Sequence, residues 1–187
     1  MEQVTSGRLL RCKLVLRASV LLLGSAAALV CQVANEPIEY QVKAAFLLNF
    51  TKFIEWPAAA FAQPDSPVSI CVLGGDPFGP TLDEIVAGEI VSDRKVAAEK
   101  ISRAPAPRSC QVLFAGKSEK AIAKVLSGLG PGVLTVGEGE SFLRDGGMIA
   151  FVIENRRVRF LINQTAAENA GLKLSSKLLS VAKAVEK

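Results

Sequence analysis

Short apolar runs separated by turn residues constrain this chain more than any other feature. Val68 to Gly74 (VSICVLG), Gln111 to Ala115 (QVLFA) and Val133 to Val136 (VLTV) are too short for helices and rich in β-branched residues. That is the pattern of strands buried on both faces. Between them lie helical stretches, Thr81 to Ala87 and Ser118 to about Leu129. In the second, Ser118 suits an N-cap and Glu119 sits in the first turn, where the helix dipole favours an acid. Glu138 to Asp145 reads as a short helix or turn. In Glu89 to Ser102, Val96 and Ile101 give no helical face around Lys95, Glu99 and Lys100, so a strand is expected. Strands alternating with helices predict a single α/β domain, its mostly parallel or mixed sheet flanked by helices.

The last third changes period. Ile149, Phe151 and Ile153 alternate, as do Val158, Phe160 and Ile162, with Glu154 to Arg157 between them. This predicts an antiparallel hairpin with Asn155 in its turn and Arg156 and Arg157 as solvated turn residues. A final helix is expected from about Ser175, with Leu178, Leu179, Ala182 and Val185 on one stripe.

Upstream of the first strand, Gln41 to Pro57 (QVKAAFLLNFTKFIEWP) carries helical spacing. At about 100° per residue, Val42, Phe46, Leu47, Phe50, Phe53 and Ile54 share an arc of roughly 140°. Gln41, Asn49, Lys52 and Glu55 lie opposite. Leu48 and Trp56 point with the polar group, so either they meet a second layer of protein or they form a surface for a partner. Phe61, in the turn-rich connection Pro57 to Pro67, and Ile162 join them as candidate partner contacts.

The chain begins with Arg8, Arg11, Lys13 and Arg17 against one acid, Glu2, followed by the uncharged 13-residue run Ala18 to Val30. A spanning helix needs about 20 apolar residues. A basic region, a short apolar run and small residues such as Ala26 and Ala28 read instead as a Sec-type secretory signal over residues 1–34, cleaved between about 28 and 34. Export to the periplasm is therefore expected, with residues 35–187 as the mature domain. Lipidation at Cys31 is not expected, because Val30 stands where a lipobox has a small residue. The whole chain holds 22 basic and 18 acidic residues, and loss of those four and one leaves a net charge near +1. No basic patch for nucleic acid survives that correction.

Catalytic chemistry is hard to place. The chain has no histidine, which removes the commonest general base and metal ligand. No G-x-S-x-G or S-x-x-K nucleophile motif occurs. Asp83-Glu84 and Glu138/Glu140 read as helix-end or loop acids. No enzyme activity, metal or cofactor is expected. Cys71 and Cys110 each lie at a strand, and in an oxidising compartment one disulfide is expected. The alternative, a redox-active pair, lacks C-x-x-C spacing. The turn Gly74-Gly75-Asp76-Pro77-Phe78-Gly79 follows a strand and precedes a helix. It reads as a tight connection or as a small-ligand turn at the carboxyl end of the sheet, with Gly74, Gly75, Asp76, Phe78 and Gly79 as the candidate residues.

Three segments together carry a resemblance: Val42 to Pro57, the turn Gly74 to Gly79, and Gly146-Gly147-Met148 through Arg159-Phe160-Leu161-Ile162-Asn163 to Ala170-Gly171-Leu172-Lys173-Leu174-Ser175-Ser176-Lys177-Leu178-Leu179. They closely resemble the YfiR family of bacterial periplasmic proteins over nearly the whole mature chain. The resemblance implies a sheet flanked by helices and a disulfide at the positions of Cys71 and Cys110. A second cysteine pair of some members is missing here. It also implies a periplasmic repressor of an inner-membrane diguanylate cyclase, sequestered in turn by an outer-membrane lipoprotein. A homodimer is a further expectation.

Overall fold

The computed structural model describes residues 38–105, 108–116 and 121–187. Helix α1 (Ile38–Phe53) leads through β1 (Ile54–Glu55) and a 3-10 turn (Ala58–Ala60) into β2 (Val68–Leu73). Next come α2 (Thr81–Val86), β3 (Ile90–Val91), β4 (Arg94–Ile101), β5 (Val112–Ala115), α3 (Ile122–Ser127), β6 (Leu134–Glu138) and α4 (Glu140–Arg144). The chain closes with β7 (Ile149–Glu154), β8 (Arg157–Asn163), α5 (Gln164–Asn169), β9 (Lys173–Leu174), α6 (Ser176–Val181) and β10 (Ala184–Glu186). One mixed sheet of eight strands has the order β10-β8-β7-β6-β5-β2-β4-β3, and β1 pairs with β9 apart from it.

The apolar runs make the centre of this sheet. Every residue of β2, β5 and β6 is buried, and these strands run parallel to one another and to β4 and β7. Continuous apolar strands need cover on both faces, and the two faces receive it unequally. On one face Val72, Phe114, Val136 and Phe151 pack under α1, with Leu82 of α2 and Leu178 of α6 in the same cluster. On the other face the apolar residues fall into two smaller groups, one around Leu73, Leu113 and Val133 and one around Phe142 and Leu161. Phe142 lies flat on the backbone of Gly137 and Gly147, where any Cβ would fall within 2.2 Å of its ring.

The disulfide joins Cys71 in β2 to Cys110 just before β5, with Cα atoms 5.9 Å apart, an ordinary span for such a bond. It belongs to the thinner face, where α3 contributes no fully buried residue. Beside it, the Gln111 side chain accepts from Ser69 N–H at 2.8 Å and donates to the Ala60 carbonyl at 2.8 Å. Gln111 thus ties the start of β5 to β2 and to the 3-10 turn.

The hairpin β7–β8 forms as the alternation predicts, with Asn155 and Arg156 in its turn. Glu89 to Ser102 is likewise strand, folded into the β3–β4 hairpin about Ser92 and Asp93. The final helix differs. Ser175 caps it as expected, accepting from Leu178 N–H, but it stops at Val181, and Ala184 to Glu186 add to β8 as a parallel edge strand. Lys183 N–H donates to the Phe160 carbonyl at 2.8 Å, so β8's open backbone groups are filled by strand rather than left beside a longer helix. Ser118 and Glu119 lie outside the described residues, and α3 begins at Ile122. Helix α5, capped by the Asn163 side chain on Ala166 N–H, was not expected from the spacing.

Helix α1 is rotated by roughly 90° from its apolar arc at 100° per residue. It buries Lys43, Ala44, Leu47, Leu48, Phe50 and Thr51, while Val42 and Phe53 are more than a third exposed. The pivot is Lys43. Its ammonium is ion-paired with Glu138 at the end of β6 and with Glu39 one turn earlier. It also lies 4.4 Å from the centre of the Tyr40 ring. Burial acts to lower the Lys43 pKa, but the hydrogen bonds and charges of Glu138 and Glu39 outweigh it and the net direction is upward. Burial and then the Glu138 charge push the Tyr40 phenol up as well.

Removing one partner of a buried pair leaves an uncompensated charge. Lys43→Met is expected to lower stability by about 3–5 kcal/mol, and Lys43→Met/Glu138→Leu to recover most of that loss; urea denaturation measures both. Both raised groups hold their protons more tightly in the folded chain. Their contribution is thus complete below about pH 10 and is lost as pH rises through the raised values. Melting temperature should therefore fall more steeply in alkali for the wild type than for the double variant. Cys71→Ser is expected to cost about 3–4 kcal/mol. The sulfurs are buried, so a reductant should act on the native protein only as it unfolds.

Candidate functional site

The rotation of α1 turns its first two turns outward. Ile38 is 77% exposed and Val42 38% exposed, with Phe46 half-buried below them. Across from them stands the tip of the β7–β8 hairpin. Its inner half is buried, but Ile153 is 51% exposed and faces its cross-strand partner Val158. Ile153 and Val158 share the sheet face on which Phe46 packs against Phe151 and Phe160, with ring centres 6.0 and 5.4 Å apart. Helix and hairpin thus enclose an open groove of about 640 Å³ with apolar walls and Arg156 and Arg157 at its lip. Neither arginine has an ion-pair or hydrogen-bond partner among the described residues. The hairpin's own acid, Glu154, instead meets Lys183 at 3.0 Å. Glu39 also lines the groove, with its carboxylate engaged by Lys43.

A second groove, of about 400 Å³, lies beyond the other end of α1. Trp56 and Phe61, two of the residues expected to touch a partner, line it together with Arg94. Here the polar groups are already used. Trp56 Nε1 donates to the Gln111 carbonyl at 3.2 Å. Arg94 stacks 3.8 Å over the Phe61 ring and donates to the Ser66 carbonyl at 2.7 Å. Trp56 is not on the helix at all, since α1 ends at Phe53 and Ile54–Glu55 pair with β9.

Of the other sequence candidates, Leu48 and Ile162 are placed differently from expectation, and the Gly74–Gly79 turn lies where expected. Leu48 is 7% exposed and Ile162 fully buried, both in the main core. Helix α1 meets α2 and α6 as well as the sheet, so the side of α1 that carries Leu48 is covered by protein. Neither residue offers surface to a partner in this fold. The Gly74–Gly79 turn lies at the carboxyl end of β2, between strands that leave to opposite sides of the sheet. That is the usual place for a ligand in an open α/β sheet. Its groups, however, bond within the fold. Asp76 accepts from Phe78 N–H at 2.9 Å and pairs with Lys100 at 2.8 Å. Gly74 N–H donates to the Ile101 carbonyl. Phe78 is fully buried, edge-on to Phe114 at 4.8 Å. Among the described residues no cluster could hold a metal ion, and no helix is long and apolar enough to cross a membrane.

The comparisons with known proteins decide the lineage. A family model described as YfiR/HmsC-like matches residues 40–183. The chain belongs to that family. A conserved domain protein from Vibrio cholerae O1 biovar El Tor strain N16961 is similar at 12% identity and a TM-score of 0.47, over 79% of this chain. The chain spans 60% of that structure's length. No curated protein matches.

Ile38, Ile153, Arg156 and Arg157 were not expected as site residues. The available signal was the alternation itself, which carries Ile153 and Val158 beyond the length of strand that α1 can cover. Trp56→Ala removes a half-buried ring and its hydrogen bond to the Gln111 carbonyl, which keeps Leu134 N–H as a donor, and is expected to cost about 2–4 kcal/mol. An unchanged melting temperature would show instead that the ring is free for a partner.

Proposed function

We propose that this member of the YfiR/HmsC-like family is an exported regulatory protein without enzymatic activity. It binds the periplasmic domain of an inner-membrane signalling protein, a diguanylate cyclase, and represses it, so that cyclic di-GMP output and biofilm formation fall. An outer-membrane lipoprotein that captures the repressor would relieve the block. The observation that carries a binding role is the uncovered apolar surface shared by α1 and the β7–β8 hairpin, where Ile38, Val42 and Ile153 stand exposed side by side. Contiguous exposed apolar surface on a small domain marks an interaction site more often than chance. Family membership supplies the regulatory class. The disulfide fits an oxidising compartment.

The small-ligand reading of Gly74 to Gly79 is weaker, because the Asp76, Phe78 and Gly74 groups named above already bond within the fold. The test is direct. The purified protein should bind the recombinant periplasmic domain of a cyclase encoded in the same genome, and deleting its gene should raise cellular cyclic di-GMP. Absence of binding together with an unchanged cyclic di-GMP level would overturn the proposal.

A further inference from the structure

The groove between α1 and the β7–β8 hairpin has a chemical preference that its apolar walls alone do not convey. Arg156 and Arg157 sit side by side at its lip, fully solvated and without partners among the described residues. Glu154, directly across the strand pair from Arg157, is in register to neutralise it. It is held instead by Lys183 on the segment that leads into β10. The one acid lining the groove, Glu39, is taken by Lys43. Two guanidinium groups are thus left over beside exposed Ile153 and Val42.

The backbone adds a second observation. Asn155 and Arg156 have φ of 49° and 60°, the type I′ turn whose second position is normally glycine. An arginine there adopts a left-handed conformation that costs local stability. Strain of this kind at an exposed site points to use of the side chain rather than of the turn.

We infer that this groove docks an apolar segment bearing carboxylates, with its apolar side chains seated against Val42, Ile153 and Val158 and its acids paired with Arg156 and Arg157. Planar guanidinium forks match carboxylates bidentately, and a small apolar core with a charged rim is the usual anatomy of a protein interface. The walls rise on two sides, helix and hairpin, and so suit a segment of protein better than the flat surface of an anionic membrane. This inference deepens the binding role proposed above and rests on it only for the name of the partner.

The experiment uses the purified protein and two synthetic amphipathic peptides with identical apolar positions, one carrying glutamates and the other lysines. The glutamate peptide should bind at least tenfold more tightly than the lysine peptide. Arg156→Glu/Arg157→Glu should reverse that order, and Ile153→Asp should abolish binding of both, with melting temperatures unchanged. Arg156→Gly should raise the melting temperature while weakening the glutamate peptide, a split that a purely structural arginine would not give. Equal binding of the two peptides, no binding of either, or an order unchanged by charge reversal would overturn the inference. So would sedimentation with phosphatidylglycerol vesicles that the glutamate peptide fails to compete. The same variants are assayed against the cyclase domain. If that domain binds wild type and all three variants equally, the groove assignment fails and the binding role stands. Peptide discrimination without cyclase binding leaves the groove and removes the cyclase.

Discussion

The buried ion pair between Lys43 and Glu138 sets how α1 lies on the sheet, and much of the remaining surface follows from that. A lysine in a half-apolar helix could snorkel to water, but here its ammonium reaches the carboxyl end of β6 and is covered there by Tyr40 and Phe151. A charge so enclosed is tolerable only with its partner in place. Lys43 lies both within the apolar arc and on the buried side, so the pair pins the helix there, while the contacts of α1 with α2 and α6 cover the side that carries Leu48. With Lys43 pointing inward, Val42 is carried about 100° to the side and stands in solvent. Leu48 and Thr51 turn inward, and Thr51 satisfies its hydroxyl on the Leu48 carbonyl at 2.6 Å.

The sheet beneath explains why such a pair is affordable in a domain of this size. One face carries four helices, α1, α2, α5 and α6, and most of the aromatic rings, including the contacts among Phe46, Phe50, Phe151 and Phe160. The opposite face has only short helices over it, and a covalent link across β2 and β5 stands where further apolar cover is thin. A disulfide acts mainly by restricting the unfolded chain, so it stabilises that face without needing depth of packing. Gln111 works similarly on the polar side, its side chain fixing two backbone groups and its carbonyl holding the Trp56 indole from one buried position.

Much of this fold was legible in the sequence. Buried parallel strands announce themselves as continuous β-branched runs, and the hairpin announces itself by alternation with Asn155 at the turn. The short pairings were not legible. β1, β9 and β10 are two or three residues long and exist because neighbouring backbone groups need partners, which no local pattern encodes. The site was legible only in part. Extending the helix to Trp56 placed that ring on a helical face it never occupies, because the helix ends at Phe53. The residue out of keeping with the apolar arc is Lys43, which sits within it on the helical wheel. A cation in the middle of an apolar arc means either that the arc is exposed or that a buried acid awaits it. Choosing between these needs Glu138, 95 residues away, and so needs the tertiary structure.

The two grooves at the ends of α1 show how local rules are broken unequally. Around Trp56 and Arg94 every named polar group has a partner, and the aromatic surface is shared between stacked side chains, which is how a chain finishes its core. At the other end Ile38, Val42 and Ile153 are exposed while Lys43 is buried, and two arginines stand unpaired among the described residues. Burying one exposed branched side chain is worth about 1.5–3 kcal/mol, so the arrangement gives up stability that a modest repacking would recover. Sequences consistent at every other level break such rules mainly where the surface is used. The hairpin is also separated from the disulfide-linked strands β2 and β5 by β6. Contact there can be remodelled without disturbing the staple that holds the other half of the sheet.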